Sequence, residues 1–421
     1  MKRLNGVSMP MRRCAGLWRP SVVSRPLEHL TILDLSRVLA CPFASMILAE
    51  LGATVIKVEQ PGTGDETRSL EPFVNDDPLN ESAYYFACNR SKQSITVNLR
   101  DPDGQQLVRD LARSVDVVME NFPVGTLKRY GLDAPTLRAA NDRLIYVSCT
   151  GFGQTGPYKD RKGYDTVFQA MGGITSLTGE LGGGPVKPGL PVADLSSGLW
   201  IAIGILAAVA GRGERGHGAT IDFGMLDGQV ALLTTAAARY VAFGEVPPRL
   251  GTEHPGRVPS ATFACSDGRH LHITVSDQHW LPLCTVLGLD AWGAQSCFAT
   301  NSARVRARQQ VMSELTRTIS EWGRDELGLA LDAAGVPQGP VNTLDEVLVD
   351  PQVLARTMVQ HFDHPKVGEF KALPLPFKFD GWDAPRLDRP PLLGEHTDEV
   401  LGSRLGLNRE QITLLREKGA I

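Results

Sequence analysis

The sequence predicts an α/β fold built on a parallel, doubly wound sheet, and three observations predict it. Leu30-Thr-Ile-Leu-Asp-Leu35 and Thr54-Val-Ile-Lys-Val-Glu59 are short apolar runs with the β-branched content of buried strands. Between them Pro42 to Leu51 has helical character, with Gly52 as its stop. Strand, helix and strand in about thirty residues form a βαβ unit, whose strands are parallel and whose crossover is right-handed. The alternation then continues downstream, so the unit is the start of a larger sheet rather than an isolated motif.

The elements follow in order. After the second strand comes a polar loop, Gln60-Pro-Gly-Thr-Gly-Asp-Glu-Thr-Arg68, extending to about Glu81. Ser94-Ile-Thr-Val-Asn-Leu99 alternates as a strand, and Asp101-Pro-Asp-Gly104 turns into a helix over Gln105 to Ser114. Val115-Asp-Val-Val-Met119 is a further strand, followed by Glu120-Asn-Phe-Pro-Val-Gly125 and a helix through Lys128 and Arg129. Leu144-Ile-Tyr-Val-Ser-Cys149 is another buried strand. Ligands of such sheets lie at the carboxyl ends of the strands, which here carry Arg37, Glu59, Asn121 and the loop Gly151-Phe-Gly-Gln-Thr-Gly-Pro157. The turn after the first strand, Ser-Arg-Val-Leu-Ala-Cys-Pro42, lacks the glycines of a dinucleotide fingerprint, and no phosphate-binding P-loop pattern occurs.

Past the sheet, Pro188-Gly-Leu-Pro-Val-Ala-Asp-Leu-Ser-Ser-Gly198 leads into the apolar run Leu199 to Ala210. The Pro- and Gly-rich approach cannot be helical, so Asp194 is placed at the N-terminus of the helix that follows. There the backbone N–H groups and the helix dipole favour an ionised carboxylate and offer donors to a developing oxyanion. The plainer reading is a capping aspartate with no chemistry. The apolar run is too short to span a bilayer and reads as a buried helix. Ala219-Thr-Ile-Asp-Phe223 is a strand and Gly228 to Phe243 one helix. The Pro- and Gly-rich linker Pro247 to Pro259 opens a smaller α+β domain, with a hairpin over Ala261 to Val275 and helices from about His279 to Ala334. The division expected is 28–246 for the large domain, 247–334 for the small one, and 335–421 for a last segment ending in a helix.

Composition limits the function. Of 421 residues, 42% are hydrophobic and 21% charged, with a net charge of −4. That is ordinary for a soluble globular chain and gives no basic footprint for nucleic acid. Seven scattered cysteines (Cys14, Cys41, Cys88, Cys149, Cys265, Cys284 and Cys297) never fall in CxxC spacing, which points to a reducing compartment without a disulfide framework or structural zinc. His270 and His272 share a strand face; a solvated face explains them better than a metal pair. Residues 1–27 hold six basic residues and no acid. They read as a disordered extension of a cytoplasmic protein, or as a transit peptide for the mitochondrial matrix.

Eight stretches in order resemble the family III CoA-transferases, the group of formyl-CoA:oxalate CoA-transferase, the carnitine CoA-transferases and α-methylacyl-CoA racemases. They are Leu33-Asp-Leu with Val38-Leu-Ala-Cys-Pro, Gly52-Ala-Thr-Val-Ile-Lys-Val-Glu, Gly62-Thr-Gly-Asp-Glu-Thr-Arg and Asn89-Arg-Ser-Lys-Gln-Ser-Ile, then Val118-Met-Glu-Asn-Phe, Gly151-Phe-Gly-Gln-Thr-Gly-Pro, Ala193-Asp-Leu and Pro391-Leu-Leu-Gly-Glu-His-Thr. The resemblance implies a Rossmann-like large domain built from N- and C-terminal segments, a smaller α+β domain, and an interlocked homodimer. It implies acyl-CoA and small carboxylates as substrates, with CoA thioesters and no permanently bound cofactor, and neither a metal nor a membrane partner.

Site residues carry over from the same resemblance. Asp194 matches the family's nucleophile, which forms a mixed anhydride and then an aspartyl-CoA thioester. CoA contacts fall on Val38, Leu39, Ala40, Val97, Asn98, Leu99, Arg100, Asn121, Phe122, Pro123, Arg129 and Lys162. Gln60 stands where many members have arginine. The racemase branch carries a histidine where this chain has Tyr164, and a phenol of pKa about 10 is a poor base for a carbon acid, which favours transfer. The linker Leu250-Gly-Thr-Glu-His-Pro-Gly-Arg-Val-Pro259 looks like the branch that uses succinyl-CoA with dicarboxylates such as glutarate, itaconate or malate, and makes His254 and Arg257 candidates for gripping a distal carboxylate. The alternatives are a 2-methylacyl-CoA racemase and a non-catalytic acyl-CoA-binding protein.

Overall fold

The computed structural model describes residues 25–77 and 81–421. Most of the basic N-terminal segment read as an extension or transit peptide, with Cys14, lies outside the described residues.

A six-stranded parallel sheet forms the centre: β1 (Thr31–Asp34), β2 (Thr54–Glu59), β3 (Gln93–Thr96), β4 (Val117–Glu120), β5 (Ile145–Thr150) and β6 (Thr220–Gly224), in the order β3-β2-β1-β4-β5-β6. The strand order reverses between β1 and β4, which opens a crevice at their carboxyl ends. The helices of this part are α1 (Ala40–Glu50), α2 (Ala83–Cys88), α3 (Pro102–Ala112), α4 (Thr126–Arg129), α5 (Ala134–Ala140), α6 (Asp165–Met171), α7 (Ile174–Leu177), α8 (Val192–Arg215), α9 (Met225–Leu232) and α10 (Thr234–Phe243).

Strand period two puts successive residues on opposite faces. Ile32, Val55, Val117, Met119, Ile145 and Val147 face α1 and α8, packing on Ala44, Ile47, Leu48, Ile201 and Ile205. Leu33, Ile56, Ile95, Val118 and Tyr146 face α3 and the chain's last helices, meeting Leu107, Val108, Leu111, Val400, Leu401 and Ile412. The C-terminal segment is stitched to β3: the His396 amide donates to the Ser94 carbonyl at 2.9 Å, and the Thr96 amide donates to Thr397 Oγ1 at 3.0 Å. A separate cluster, from Val258 to Val336, lies under the antiparallel sheet β7 (Ser260–Ala264), β8 (His270–Thr274) and β9 (Gln338–Pro340).

Four expectations are corrected. The segment Gly228 to Phe243 is two helices, because Thr234 takes φ 23° and breaks the run. The polar stretch after β2 holds two short 3-10 turns, and α2 follows it, capped by Ser82. A hairpin over Gln360–His364 and Gly368–Ala372 lies in the last segment, where alternation is too short to stand out. Finally, the run Leu199 to Ala210 belongs to the 24-residue helix α8, which is long and apolar enough by length and composition alone to cross a bilayer. Only one face of it is covered in the single chain, and Leu199, Trp200 and Ile203 are exposed.

Candidate active site

The crevice between β1 and β4 is closed by a turn whose backbone is held on every side. The Ser36 amide donates to Asp34 Oδ1 at 2.9 Å, and the Ser36 carbonyl accepts from Lys57 Nζ at 3.0 Å. Asn121, at the end of β4, clamps Arg37: its Oδ1 accepts the Arg37 amide at 2.9 Å and its Nδ2 donates to the Arg37 carbonyl at 2.7 Å. One side-chain amide thus bridges the two strands at the switch point. Val38 takes φ 69°, and α1 begins two residues later with no side-chain cap.

This turn walls one side of a cavity of about 700 Å³. Leu35, Arg37, Phe122, Pro123, Thr126 and Tyr130 line one flank, and Val58, Glu59, Gln60, Asp65, Val97, Leu99 and Arg100 the other. The Arg37 guanidinium stands 4.7 Å over the Phe122 ring. Beneath lies a buried charge network in which Lys57 Nζ meets Asp65 Oδ2 at 2.8 Å and Arg68 Nε meets Glu59 Oε2 at 2.7 Å. A cavity of this size, whose mixed lining sets Arg37 and Arg100 beside apolar side chains and the carboxylates of Glu59, Asp65 and Glu66, has room for an elongated ligand, with the two arginines available to an anionic group.

Asp194 is reached from α1. α1 and α8 cross where Gly198 presses on α1: a Cβ there would lie 2.8 Å from the Ala40 carbonyl and from the Phe43 ring. Asp194 sits one turn earlier, in the first turn of α8, which starts at Val192 after Pro191. It is therefore not the cap of its own helix, as its position in the sequence suggested. Asp165, from the first turn of α6, takes that part: its Oδ1 accepts the amides of Ala193 at 2.9 Å and Asp194 at 3.1 Å. Buried Gln169, one turn along α6, donates Nε2 to Asp165 Oδ2 at 2.5 Å and holds that carboxylate in place.

The electrostatics follow from this exchange. The donors expected to stabilise the Asp194 carboxylate are spent on Asp165, and a second negative charge has been brought alongside. Burial first, and then Asp165, push Asp194 up to about 7, the reverse of the expected direction. The half-buried phenol of Tyr84, on α2, is pushed up to about 12 by burial and then by the charge of Asp194, so its proton is retained for hydrogen bonding. Glu120, at the end of β4, is also raised to about 7, by burial, while it accepts from Ser148 and from the Phe122 amide. Asp194, Asp165 and Tyr84 thus form a carboxylate poised to ionise near neutrality beside a neutral phenol donor.

The structure gathers some of the residues singled out in the sequence and disperses others. Val97, Leu99, Arg100, Phe122 and Pro123 line the cavity, and Gln60 joins them. Asn121 acts on the backbone of Arg37, and Val38, Leu39 and Ala40 form the turn and the head of α1. Asn98 faces the chain's end, its amide donating to the Ala420 carbonyl at 2.8 Å and its Nδ2 to the Gly419 carbonyl at 3.2 Å. Arg129 is exposed on α4, outside the cavity lining, and its guanidinium donates to Thr126 Oγ1 at 3.5 Å. Lys162 is exposed, and Tyr164 is 77% exposed at the start of α6. His254 and Arg257 are exposed on the linker, where His254 Nδ1 accepts the Gly256 amide at 3.0 Å. Among the described residues no hydrogen bond or ion pair joins either to Asp194 or Asp165. His270 and His272 lie on β8, where the His272 ring pairs with Thr262 and Thr274, and no cluster of metal-ligating side chains occurs among the described residues. Cys41 is a buried free thiol.

Sequence reading missed Asp165 and Tyr84. Asp165 stands 29 residues before Asp194, and nothing in its neighbourhood marks it as the cap of a distant helix. The one local sign was a Gly-Tyr-Asp start to an apolar helical run. Tyr84 looked like one of two adjacent tyrosines in an unassigned stretch.

Comparison with known proteins shows the family. The model of CoA-transferase family III matches residues 27–397. The chain is 38% identical over 412 residues to the succinyl-CoA:glutarate CoA-transferase of Mus musculus, covering 96% of this chain and 94% of that one. It is 40% identical over 380 residues to the succinate–glutarate CoA-transferase of Agrobacterium fabrum, covering 89% and 95%. The crystal structure of a CAIB/BAIF family protein from Brucella suis superposes with a TM-score of 0.81 at 41% identity, over 90% of this chain and 100% of that one.

Proposed function

The chain belongs to CoA-transferase family III, and we propose that it moves CoA from succinyl-CoA to a short dicarboxylate, with glutarate the first candidate and itaconate and malate next. The observation that carries this reading is the placement of Asp194. It heads a helix that crosses the head of α1, beside the turn that walls a cavity able to hold the nucleotide end of CoA. The relatives named for succinyl-CoA and glutarate support the choice of donor and acceptor.

In the proposed mechanism ionised Asp194 attacks the thioester carbonyl of succinyl-CoA. The C–S bond breaks and CoA leaves as the thiolate, giving a mixed anhydride. The thiolate attacks the aspartyl carbonyl, releasing succinate and leaving an aspartyl-CoA thioester. The acceptor carboxylate then attacks that thioester, expelling thiolate and forming a second anhydride. Thiolate attack on the acceptor's acyl carbonyl releases the new acyl-CoA and restores Asp194. Tyr84 donates to the oxygen that gains charge at each addition. Arg37, Arg100 and Phe122 hold the nucleotide and its phosphates, with Asn121 fixing Arg37 and with Val38, Leu39 and Ala40 shaping the turn. His254 and Arg257 take the distal carboxylate of the acceptor.

The exposed apolar side chains Leu199, Trp200 and Ile203 on α8, with Tyr240, Val241 and Phe243 on α10, are assigned to a second copy of the chain, and the protein to a homodimer. The bonding of α8 at both ends favours a protein partner over lipid: Asp165 holds its head, and buried Arg212 pairs with Asp116 at 2.8 Å near its foot. Residues 28–246 and the C-terminal segment beyond β9 then make up the unit that holds CoA, while the smaller unit runs from 247 through β9, whose strand joins its sheet, and brings His254 and Arg257.

The test is mass spectrometry of CoA thioesters after mixing the protein with succinyl-CoA and a panel of glutarate, itaconate, malate, mesaconate, oxalate and carnitine, with Asp194→Asn in parallel. New thioesters formed only by the unaltered protein support the reading and rank the acceptors. No new thioester with any acid sinks it.

A further inference from the structure

Val38 is a β-branched residue in the left-handed region, where its Cβ crowds the backbone and few such residues are found. A residue stays there only when its surroundings over-determine it. Those surroundings can be named. On one side, the buried Lys57 ammonium binds the Ser36 carbonyl at 3.0 Å and Asp65 Oδ2 at 2.8 Å. Asp65 Oδ1 in turn accepts from the Val38 amide at 3.4 Å. On the other, Cys88 Sγ donates to the Val38 carbonyl at 3.4 Å. Lys57 and Asp65 are almost wholly buried, and Asp65 is itself anchored by the Thr67 amide at 2.9 Å and by its own amide on Glu59 Oε2 at 3.0 Å. A buried ion pair of this kind is weak support for stability, since an apolar pair of the same volume often serves as well. Its bonds converge instead on one strained turn.

We infer that Lys57 and Asp65 are positioning residues for the transfer reaction: the buried pair holds Val38 in its left-handed conformation. It thereby fixes the turn that places Arg37 over Phe122 and sets the head of α1 against α8. The inference rests on the reading of the cavity as the CoA site. Neither side chain need touch the reacting atoms. Released from the pair, Val38 relaxes toward negative φ, Arg37 and Leu39 swing away, and the cavity loses one wall. Glycine adopts positive φ without strain, so at position 38 it needs no such restraint.

The experiment is a cycle of Lys57→Met and Val38→Gly, read by calorimetric binding of CoA and by steady-state transfer. Val38→Gly alone supplies the reference CoA Kd for the cycle, because Val38 itself shapes the site and glycine takes its backbone conformation without strain. Lys57→Met weakens CoA binding and raises KM for acyl-CoA by about tenfold, the population a strained left-handed residue loses when released. KM for the acceptor carboxylate stays unchanged. Adding Val38→Gly to Lys57→Met brings the CoA Kd to within about threefold of Val38→Gly alone, so the lysine's effect disappears once glycine stands at position 38, which a merely structural role of the lysine does not give. Asp65→Asn keeps one acceptor oxygen for the Val38 and Thr67 amides and removes the charge together with the oxygen that accepts from Lys57. It takes the place of Lys57→Met if that variant does not fold, as judged by circular dichroism and a thermal melt. An unchanged CoA Kd in the charge variant, or no rescue by glycine, overturns the inference. Intact CoA binding without transfer by the unaltered protein sinks the transferase reading alone, and no CoA binding at all sinks both.

Discussion

Asp165 caps the helix that carries Asp194, with one carboxylate oxygen accepting the amides of Ala193 and Asp194 itself at 2.9 and 3.1 Å. The neighbour that orients the Asp194 backbone is also a like charge, which adds to burial in raising the Asp194 pKa. The consequence is a carboxylate that ionises near neutrality, less stabilised and so more reactive than a solvated one.

The pH dependence follows. In the proposed mechanism the attacking species is the Asp194 carboxylate, and burial and Asp165 push that group up to about 7, so kcat/KM is expected to rise with pH through that value and level off above it. Asp165→Asn keeps the capping oxygen and removes the charge, which moves the acidic limb to lower pH. A limb that stays in place in this variant shows that Asp165 does not tune the nucleophile.

Asp194→Asn trades activity for stability. An acid whose folded pKa lies above its unfolded value weakens the fold as pH rises past the unfolded value, and the penalty is complete above the folded one. The variant gains about 1–2 kcal/mol above pH 7, an amount set below the full shift because the side chain is partly exposed, and gains nothing below about pH 4. Thermal melts at pH 8 and pH 4 check this, and an equal gain at both would point to a cause other than ionisation. Transfer is lost at every pH.

Tyr84→Phe removes a donor while keeping the ring. The expected result is a kcat lower by about tenfold with KM for acyl-CoA changed less than twofold, the pattern of a contact made mainly in the transition state. Steady-state kinetics decide it: an unchanged kcat leaves the phenol a packing group.

Arg37 and His254 are proposed to serve different substrates, and the two alanine variants separate them. Arg37→Ala raises KM for acyl-CoA by about tenfold through loss of a charge-assisted contact, with KM for the dicarboxylate unmoved. His254→Ala does the converse. If both raise the same constant, the division of the site is wrong.

The uncovered face of α8 predicts an assembly. Ile203 is 55% exposed in the single chain, and Ile203→Glu places a charge in the proposed interface. Sedimentation velocity reads a dimer for the unaltered protein and monomer or aggregate for the variant. A monomeric unaltered protein rejects the assignment.

The layered core is legible in the linear sequence. The β-branched run Thr54–Glu59, buried on both faces, and the apolar helix α1, buried nearly all round, dictate a βαβ start, because elements so apolar must lie inside a layered core. The position of Asp194 at the head of an apolar helix was equally legible, since Pro191 forbids an earlier start. Tertiary structure decided the rest. The charge state of Asp194 depends on Asp165, brought in by the packing of α6 on α8, and desolvation belongs to no single residue. The strain at Val38 is invisible in its own segment, because its restraints come from β2, the following loop and α2. Arg37 and Asn121 are 84 positions apart and meet only because the strand order reverses between β1 and β4. Local pattern fixes which side chains go inside; which charges then face one another is set by the fold, through contacts that sequence spacing does not encode.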